Sequence, residues 1–598
     1  MRYRWRLPDP SPEDINCTRE LAQAINVPES IASILVRRGI RTFNEARDFF
    51  RPSLEALHAP ELMDGMPEAT ARVIEAVQSG ERIAVYGDYD VDGTTSTAMM
   101  TLFLRSLGAN VAYHIPDRFT EGYGLTTNSI DRLLASEEKP KLLISIDCGI
   151  TAVDAVQYAR DRDVDVVICD HHEPGQILPN ANAILNPLKP GCKYPNKQLC
   201  GCGVAFKLVQ SIAAKLGKLE EAYEYLDFVA LASSADIVSL LGENRILVYY
   251  GLLHINNRPR PGVKALIEGS GMKIGKLGTT QIVFGLAPRI NAAGRLGDGG
   301  RSVDLLMAQT VIESQTVALV LEEENVNRRR IDEEAFLEAC GLVDEMLDRE
   351  RDRVIVLHNG TWHAGVIGIV ASRLVERYHL PVVLMTTIDG IAKGSARSIA
   401  GFDIHSALKS CEHMLITFGG HKYAAGVSVK IDRVPEFRSA INTYATGVIT
   451  RDMLEPEIAI DAEVDMNDLT PRYFAIVRQL APFGPDNHRP MFLTRGVQAV
   501  GYPRTVGRNS VQHLKFNVRS SHKPTIDSHA AREMMPNNVP FTKGGGAIDA
   551  IGFGMGDRIP ELSFPDRKLR DDLELVYALD ENEFSGRITP QLVVRDFH

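Results

Sequence analysis

Arg82-Ile83-Ala84-Val85-Tyr86-Gly87-Asp88-Tyr89-Asp90-Val91-Asp92-Gly93 decides the fold of the first half of the chain. Residues 82–86 read as a buried strand, because apolar residues follow one another without polar alternation. Residues 87–93 read as a loop and 94–107 as a helix that Gly108 stops. The same unit repeats outward. Residues 110–115, 141–146 and 164–169 are further buried strands, with helical stretches between them. This alternation predicts a parallel sheet covered by helices on both faces.

Acidic groups sit just past these strands or at a helix end. They are Asp88-Tyr89-Asp90-Val91-Asp92-Gly93, Asp147-Cys148-Gly149, Asp170-His171-His172 and Ser234-Ala235-Asp236. The carboxyl ends of parallel strands form the ligand crevice of α/β sheets, so residues far apart in sequence can meet there. Alternate residues of an extended stretch share a side, which lets Asp88, Asp90 and Asp92 project together. Three carboxylates that close repel one another unless a cation lies between them. Adding Asp147, Asp236 and His171 makes an oxygen-rich set with one nitrogen, suited to Mn²⁺ or Mg²⁺ rather than Zn²⁺ or copper. The acids outnumber what one ion needs, so two divalent cations are expected. Two metals about 3.5–4 Å apart clamp the attacking and leaving oxygens of a phosphoryl displacement and acidify a bridging water. Taken singly, an Asp after a strand is an ordinary cap or turn residue. A histidine pair in a loop is normally a surface pair. The weight lies in the set, gathered at one edge of one sheet.

The 598 residues predict three to five domains. Hydrophobic residues at 44% and charged residues at 24% exclude a mostly disordered chain. No apolar run approaches the roughly 18 residues of a membrane helix, so no membrane partner is expected. Residues 1–8 lack the apolar core of a secretory signal, and eight Cys are too sparse for a disulfide scaffold. Both point to a reducing cytoplasm. The net charge of −11 argues against a uniformly nucleic-acid-coating chain but leaves room for a local basic groove. No phosphate loop of the Gly-x-x-x-x-Gly-Lys-Ser/Thr type is present. Gly552-Phe553-Gly554-Met555-Gly556 does not open a βαβ unit, and Cys200-Gly201-Cys202 reads as packing or a tight turn rather than a zinc site.

The expected organisation is an N-terminal helical or extended segment (1–65), a parallel-sheet α/β catalytic domain (66–270), a connecting region with a long helix (271–350), a smaller α/β domain (351–448), a β-barrel or sandwich (449–575) and a C-terminal extension (576–598). Residues 310–350 read as one long or broken helix of about 60 Å. Residues 520–548, with Gly544-Gly545-Gly546, look like a flexible polar insertion. From Arg478 to Lys523 the chain carries Arg478, Arg489, Arg495, Arg504, Arg508, Lys515, Arg519 and Lys523 against the single acid Asp486, interleaved with Phe483, Phe492, Tyr502 and Phe516. Such a mixture binds single strands, because cations track the backbone and aromatics stack bases without reading sequence. The competing reading places some of these aromatics in a barrel core.

The segment 86–93 together with Asp170-His171-His172 resembles the DHH phosphoesterase superfamily. Within it the chain is similar to the single-strand-specific exonucleases built from DHH, DHHA1 and OB-fold parts. The resemblance extends through Arg118-Phe119-Thr120-Glu121-Gly122-Tyr123-Gly124-Leu125, the stretch 199–207, the stretch 289–295, Gly394-Ser395-Ala396-Arg397-Ser398, the stretch 419–426 and Ala481-Pro482-Phe483-Gly484-Pro485-Asp486-Asn487. It implies metal ligation by Asp90, Asp92, Asp147, His171 and Asp236, with Asp147 bridging. It implies catalytic roles for His172 at the scissile phosphate or a metal-bound water, for Asp170 orienting an imidazole, and for Asp88. It implies nucleic-acid phosphate binding by Arg295, Ser395, Arg397, Gly419, Gly420 and His421, to which the basic segment adds Arg504 and Arg508. Tyr86 stands where some relatives carry a ligand His. The implied activity is 5′→3′ hydrolysis of single-stranded DNA to 5′-mononucleotides with two Mn²⁺ or Mg²⁺ ions, in recombination and repair. Single-strand-binding protein and a RecQ-type helicase are the implied protein partners. The rival readings are a phosphoesterase for short oligonucleotides or small phosphate esters, and a non-catalytic strand-binding scaffold.

Overall fold

The computed structural model describes residues 3–117, 120–122, 124–135, 138–348, 350–507, 512–522, 534–535, 539–542, 546–566, 568–584 and 586–598. The first sheet has five parallel strands in the order Val111–His114, Ile83–Gly87, Leu142–Ile146, Asp165–Cys169, Ala183–Leu185. Its strands are apolar at nearly every position because both faces are covered. Ile83, Val85, Leu142, Ile144 and Val167 face one core, while Ala84, Tyr86, Leu143, Val166 and Ile168 face the other. The strand order reverses direction at Ile83–Gly87 and Leu142–Ile146, and ligands bind at such a switch point, outside the strand ends. The acidic segments Asp88–Asp92 and Asp147 leave from those two strands.

The helices that cover this sheet lead into one continuous helix, Val311–Met346, of 36 residues. At 1.5 Å per residue it is about 54 Å long. Leu321 belongs to the core of the first domain, and Ala335 to the core of the next. One helix thus links two separate cores. The second sheet is mixed, in the order Leu415–His421, Ala424–Lys430, Ile391–Arg397, Val382–Ile388, Ile355–His358, with only the last pair parallel.

The C-terminal domain is a closed five-stranded barrel. Met491–Val506, His513–Ser520, Ile548–Gly552, Arg587–Phe597 and Leu573–Phe584 follow one another, and the last pairs back to the first. The expected boundary at 575/576 falls inside this barrel. The supposed extension 576–598 supplies most of the two strands that close it, which removes the free edges an open sheet would leave. Most of the 520–548 insertion lies outside the described residues, but Phe541 packs edge-on against Phe474 in the barrel core. The N-terminal segment is not separate either. Strand Arg4–Arg6 pairs with Glu457–Ala459, and Ile31 and Ile34 of the helix Glu29–Arg37 enter the barrel core.

Arg245, in the helix Gly242–Asn257, fastens these parts together. Its buried guanidinium donates to the carbonyls of Phe49 (2.9 Å), Gln479 (3.2 Å), Leu480 (2.9 Å) and Ala481 (2.8 Å), and lies 3.7 Å from the Phe49 ring centroid. Leu240 N–H donates to Pro485 O at 3.0 Å beside it. Arg245→Met keeps the aliphatic bulk but removes the side-chain donor of the Phe49, Gln479 and Ala481 carbonyls, while Leu480 O keeps Asn487 Nδ2 at 2.9 Å. We expect a loss of about 3 kcal/mol, since buried acceptors without donors cost about 1–3 kcal/mol each before relaxation. A thermal melt should show the barrel releasing earlier than in the unaltered protein.

Candidate metal centre and nucleic-acid interface

The four acidic segments meet. Three trios of donor atoms each lie within 4.8 Å of one another: Asp88, Asp90 and Asp147; Asp92, His171 and Asp236; and Asp147, His171 and His172. Asp147 and His171 each belong to two trios. His171 Nε2 lies 3.2 Å from Asp147 Oδ1, 3.7 Å from Asp236 Oδ2 and 3.9 Å from Asp92 Oδ2. Asp88, expected in a catalytic role, falls with Asp90 and Asp147 among the grouped donors.

Local structure aims these groups. Asp90 caps the helix Val91–Ser106, its Oδ1 accepting from Gly93 N–H at 3.0 Å. Asp147 takes a left-handed backbone, φ 61°. Gly201 makes room for it. A Cβ there would lie 2.7 Å from both Asp147 Cβ and Oδ1. Cys200-Gly201-Cys202, expected to be packing or a tight turn, opens the helix Gly201–Lys215, and the N–H groups of Gly201 and Cys202 donate to the two oxygens of Asp92 at 2.6 and 2.7 Å. The helix amino terminus thereby fixes a buried anion. Sequence reasoning missed this role. The available signal was Gly201 between two small residues just before an apolar helix.

The charges in the cluster are left unbalanced. Burial pushes the Asp92 and Asp147 carboxyls up, and neighbouring carboxylates push them further: Asp90 for Asp92, and chiefly Asp92, Asp90 and Asp88 for Asp147. Burial, then Asp92 and Asp90, raises Asp236 to about 8. Asp236 Oδ2 is buried with no hydrogen-bond partner among the described residues. Burial holds His171 below the usual imidazole range and so keeps a nitrogen lone pair available. An oxygen-rich pocket with mutually repelling acids, an unsatisfied oxygen and one neutral nitrogen fits hard divalent cations.

The two histidines differ in kind. His172 Nδ1 lies 2.7 Å from Asp170 Oδ1, and this hydrogen bond raises the imidazole to about 9. Burial opposes ionisation of Asp170, but the His172 contact and the Ile150 N–H (2.9 Å) outweigh it and hold the carboxyl low. Asp170 is therefore an orienting partner that stays out of the donor trios, and its hydrogen bond favours the protonated form of His172. Tyr86 offers nothing to the cluster: it is buried, and its hydroxyl donates to Gly124 O (2.9 Å) and lies 3.0 Å from Ser129 Oγ. Glu121 anchors the same loop, accepting from Arg132 (3.0 Å) and Asp117 N–H (3.0 Å) and pairing with His114 (2.9 Å). Arg118, Phe119 and Tyr123 lie outside the described residues.

Arg295 of the helix Ala287–Leu296 and residues of the second sheet bring most of the expected phosphate ligands together. Arg295 donates to Gly365 O at 3.1 Å. Three residues on, a Cβ at Gly368 would meet Arg397 Nη2 at 3.0 Å and Ser395 Oγ at 3.3 Å. Arg295, Ser395 and Arg397 therefore converge on the start of the helix Ile367–Tyr378. His363, not anticipated, accepts from Gly365 N–H at 3.0 Å in the same turn. In register across the sheet, Ser395 is followed by Gly426 and Gly419, and Arg397 by Ala424 and His421. The row of small residues leaves a bare floor beside the cations, and a Cβ at Gly419 would touch nothing. Gly420 is different: at φ 137° its Cβ would strike Ala424 O at 2.4 Å, so it serves the hairpin.

The barrel keeps only part of the expected basic surface. Phe492 and Phe516 are core residues. Arg478, Arg489 and Arg495 pair with Glu581 (3.1 Å), Asp580 (2.9 Å) and Glu574 (2.5 Å), acids of the strand Leu573–Phe584. Arg504 remains exposed opposite Lys515, near Tyr502, which is 93% exposed. Arg508 and Lys523 lie outside the described residues.

Two outcomes follow for cation binding. Gly201→Ala should weaken Mn²⁺ affinity about 10–100-fold, as loss of an orienting contact does, in a titration calorimeter. With Asp236 near 8, protons compete for the same oxygens below that value, so affinity should rise steadily from pH 6.5 to 8.5.

Comparison with known proteins agrees with this geometry. The model of the DHH family, N-terminal domain, matches residues 82–233, that of the DHHA1 domain 351–447, and that of the RecJ OB domain 460–530 and 538–596. The single-stranded-DNA-specific exonuclease RecJ of Bacillus subtilis (strain 168) is 35% identical over 598 residues, covering 100% of this chain and 71% of the relative. The Escherichia coli (strain K12) protein of the same name is 33% identical over 600 residues, covering 96% and 97%. The crystal structure of RecJ in complex with Mn²⁺ from Thermus thermophilus superposes with a TM-score of 0.79 at 30% identity, covering 100% of this chain and 80% of that one. With two relatives above 30% identity along nearly the whole chain and all three domains matched in order, the chain belongs to the RecJ family.

Proposed function

We propose that the protein is a metal-dependent exonuclease that hydrolyses single-stranded DNA from the 5′ end and releases 5′-mononucleotides. The observation that carries it is the set of overlapping donor trios sharing Asp147 and His171 at the switch point of the sheet. Asp88, Asp90 and Asp147 would hold one Mn²⁺ or Mg²⁺, and Asp92, His171 and Asp236 the other, with Asp147 between them. Bound there, the pair would supply Lewis-acid stabilisation of the phosphoryl charge and an acidified water.

The remaining work falls to the chain itself. His172, its protonated form favoured by Asp170, donates to a non-bridging phosphate oxygen as negative charge builds there. Arg397 and Ser395, at the helix amino terminus, hold a phosphate of the strand through charge-assisted donors. His421 lies in register with Arg397, over the bare floor at Gly419, where sugar or base can approach closely. Tyr502 and Arg504 on the barrel extend the track, by stacking and phosphate contact that ignore sequence. The rival substrate class, small phosphate esters, needs no barrel. Here the barrel is keyed into the catalytic domain by Arg245 and Leu240, which favours long strands. Action in recombination and repair, a cytoplasmic location, and cooperation with single-strand-binding protein and a RecQ-type helicase belong to the same proposal. Among the described residues, no helix is long and apolar enough to cross a membrane.

The test is digestion of long single strands labelled at one end or the other. With Mn²⁺ or Mg²⁺, a 5′ label should appear at once as mononucleotide, while a 3′ label stays on a shrinking strand. EDTA should stop both. Asp147→Asn should lower turnover by more than about a hundredfold while strand affinity stays near that of the unaltered protein. Early release of the 3′ label would refute the polarity.

A further inference from the structure

Ile237 has a backbone that its side chain does not favour. It follows the helix Leu226–Ala235 and Asp236, and its φ is 60°. Just past a helix end this left-handed conformation usually falls to glycine, and a β-branched residue there is strained. Among the described residues, Ile237 is the one aliphatic side chain so placed. The other non-glycine cases are Asn, Asp or His, which tolerate the conformation better. Burial does not compensate: Ile237 is 71% exposed, while Val238 and Leu240 beside it are buried.

The location suggests a role. Asp236 reaches within 3.7 Å of His171 Nε2. Consecutive Cα atoms are about 3.8 Å apart, so the Ile237 backbone is the immediate neighbour of a member of the carboxylate cluster. The segment is held from its far side, where Leu240 N–H donates to Pro485 O at 3.0 Å and Leu240 fills the space a Cβ at Gly484 would need. A strained, exposed aliphatic group next to a charged cluster gains free energy only when an apolar surface covers it. The bare faces of a nucleotide's base and sugar are such surfaces, and contact with them is indifferent to sequence. We infer that Ile237 is a substrate-contact residue, on which the base or sugar of the nucleotide next to the scissile phosphate rests. This inference depends on the nuclease reading above.

The experiment uses the full-length protein with Mn²⁺ and the single changes Ile237→Gly and Ile237→Val. Glycine relieves the backbone strain but gains freedom in the unfolded chain, so the melting temperature should stay level or rise, with Mn²⁺ affinity unchanged. The KM for long single strands should increase about tenfold, the worth of one buried aliphatic side chain. Ile237→Val, which keeps a branched apolar surface, should stay within about twofold of the unaltered KM. An unchanged KM for Ile237→Gly would overturn the inference alone. So would a raised KM accompanied by lost Mn²⁺ affinity, which would mean that the effect runs through Asp236. Failure of the unaltered protein to release nucleotides would overturn the nuclease reading, and this inference with it.

Discussion

Mutual repulsion among buried carboxylates is the constraint around which the rest of the molecule is arranged. Asp88, Asp90, Asp92, Asp147 and Asp236 sit at one edge of a parallel sheet, largely out of water, with the ionisation of Asp92, Asp147 and Asp236 opposed by burial and by neighbouring acids. Left alone, such a group would take up protons or open the fold. The chain tolerates it by fixing carboxylates with neutral donors, as the helix Gly201–Lys215 does for Asp92 and the helix Val91–Ser106 does for Asp90. The unsatisfied remainder is the driving force for cation binding. Stability foregone at the sheet edge becomes affinity for a divalent ion.

The same edge sets where the other domains must stand. The helix Val311–Met346 has one end in the core of the catalytic domain and the other in the core of the second sheet. Arg295, on the helix Ala287–Leu296, donates to Gly365 O of the second domain, close to Arg397 and Ser395. The segment leading into the barrel holds Leu240, four residues beyond Asp236, through Pro485 O. Strand binding and chemistry are thus joined through a short, tightly held piece of backbone rather than through a flexible linker.

Much of the site was legible because its signals are local. Asp88-Tyr89-Asp90-Val91-Asp92 and Asp170-His171-His172 follow apolar strands directly, and a parallel sheet leaves the ends of its strands together. The donors of Gly201 and Cys202 were not legible, because a backbone N–H carries no side-chain signature and its partner, Asp92, lies 109 and 110 positions away. The basic barrel segment misled for a related reason. From Arg478 to Lys523 it contains one acid, yet Glu574, Asp580 and Glu581 reach it from the strand that closes the barrel. Phe492 and Phe516 alternate inward on that barrel, where an aromatic side chain serves as core.

The chemistry that is possible here was already written in the order of the residues. They include the oxygen and nitrogen donors, the apolar runs that must become buried strands, and the glycines that permit close approach. Those properties reside in single residues and their near neighbours. Folding then settled which acids share a donor trio, which arginines stay unneutralised, that residues 576–598 complete the barrel, and that Ile237 stands strained and bare beside Asp236. Each of these depends on the distance between groups far apart along the chain, and only packing sets that distance.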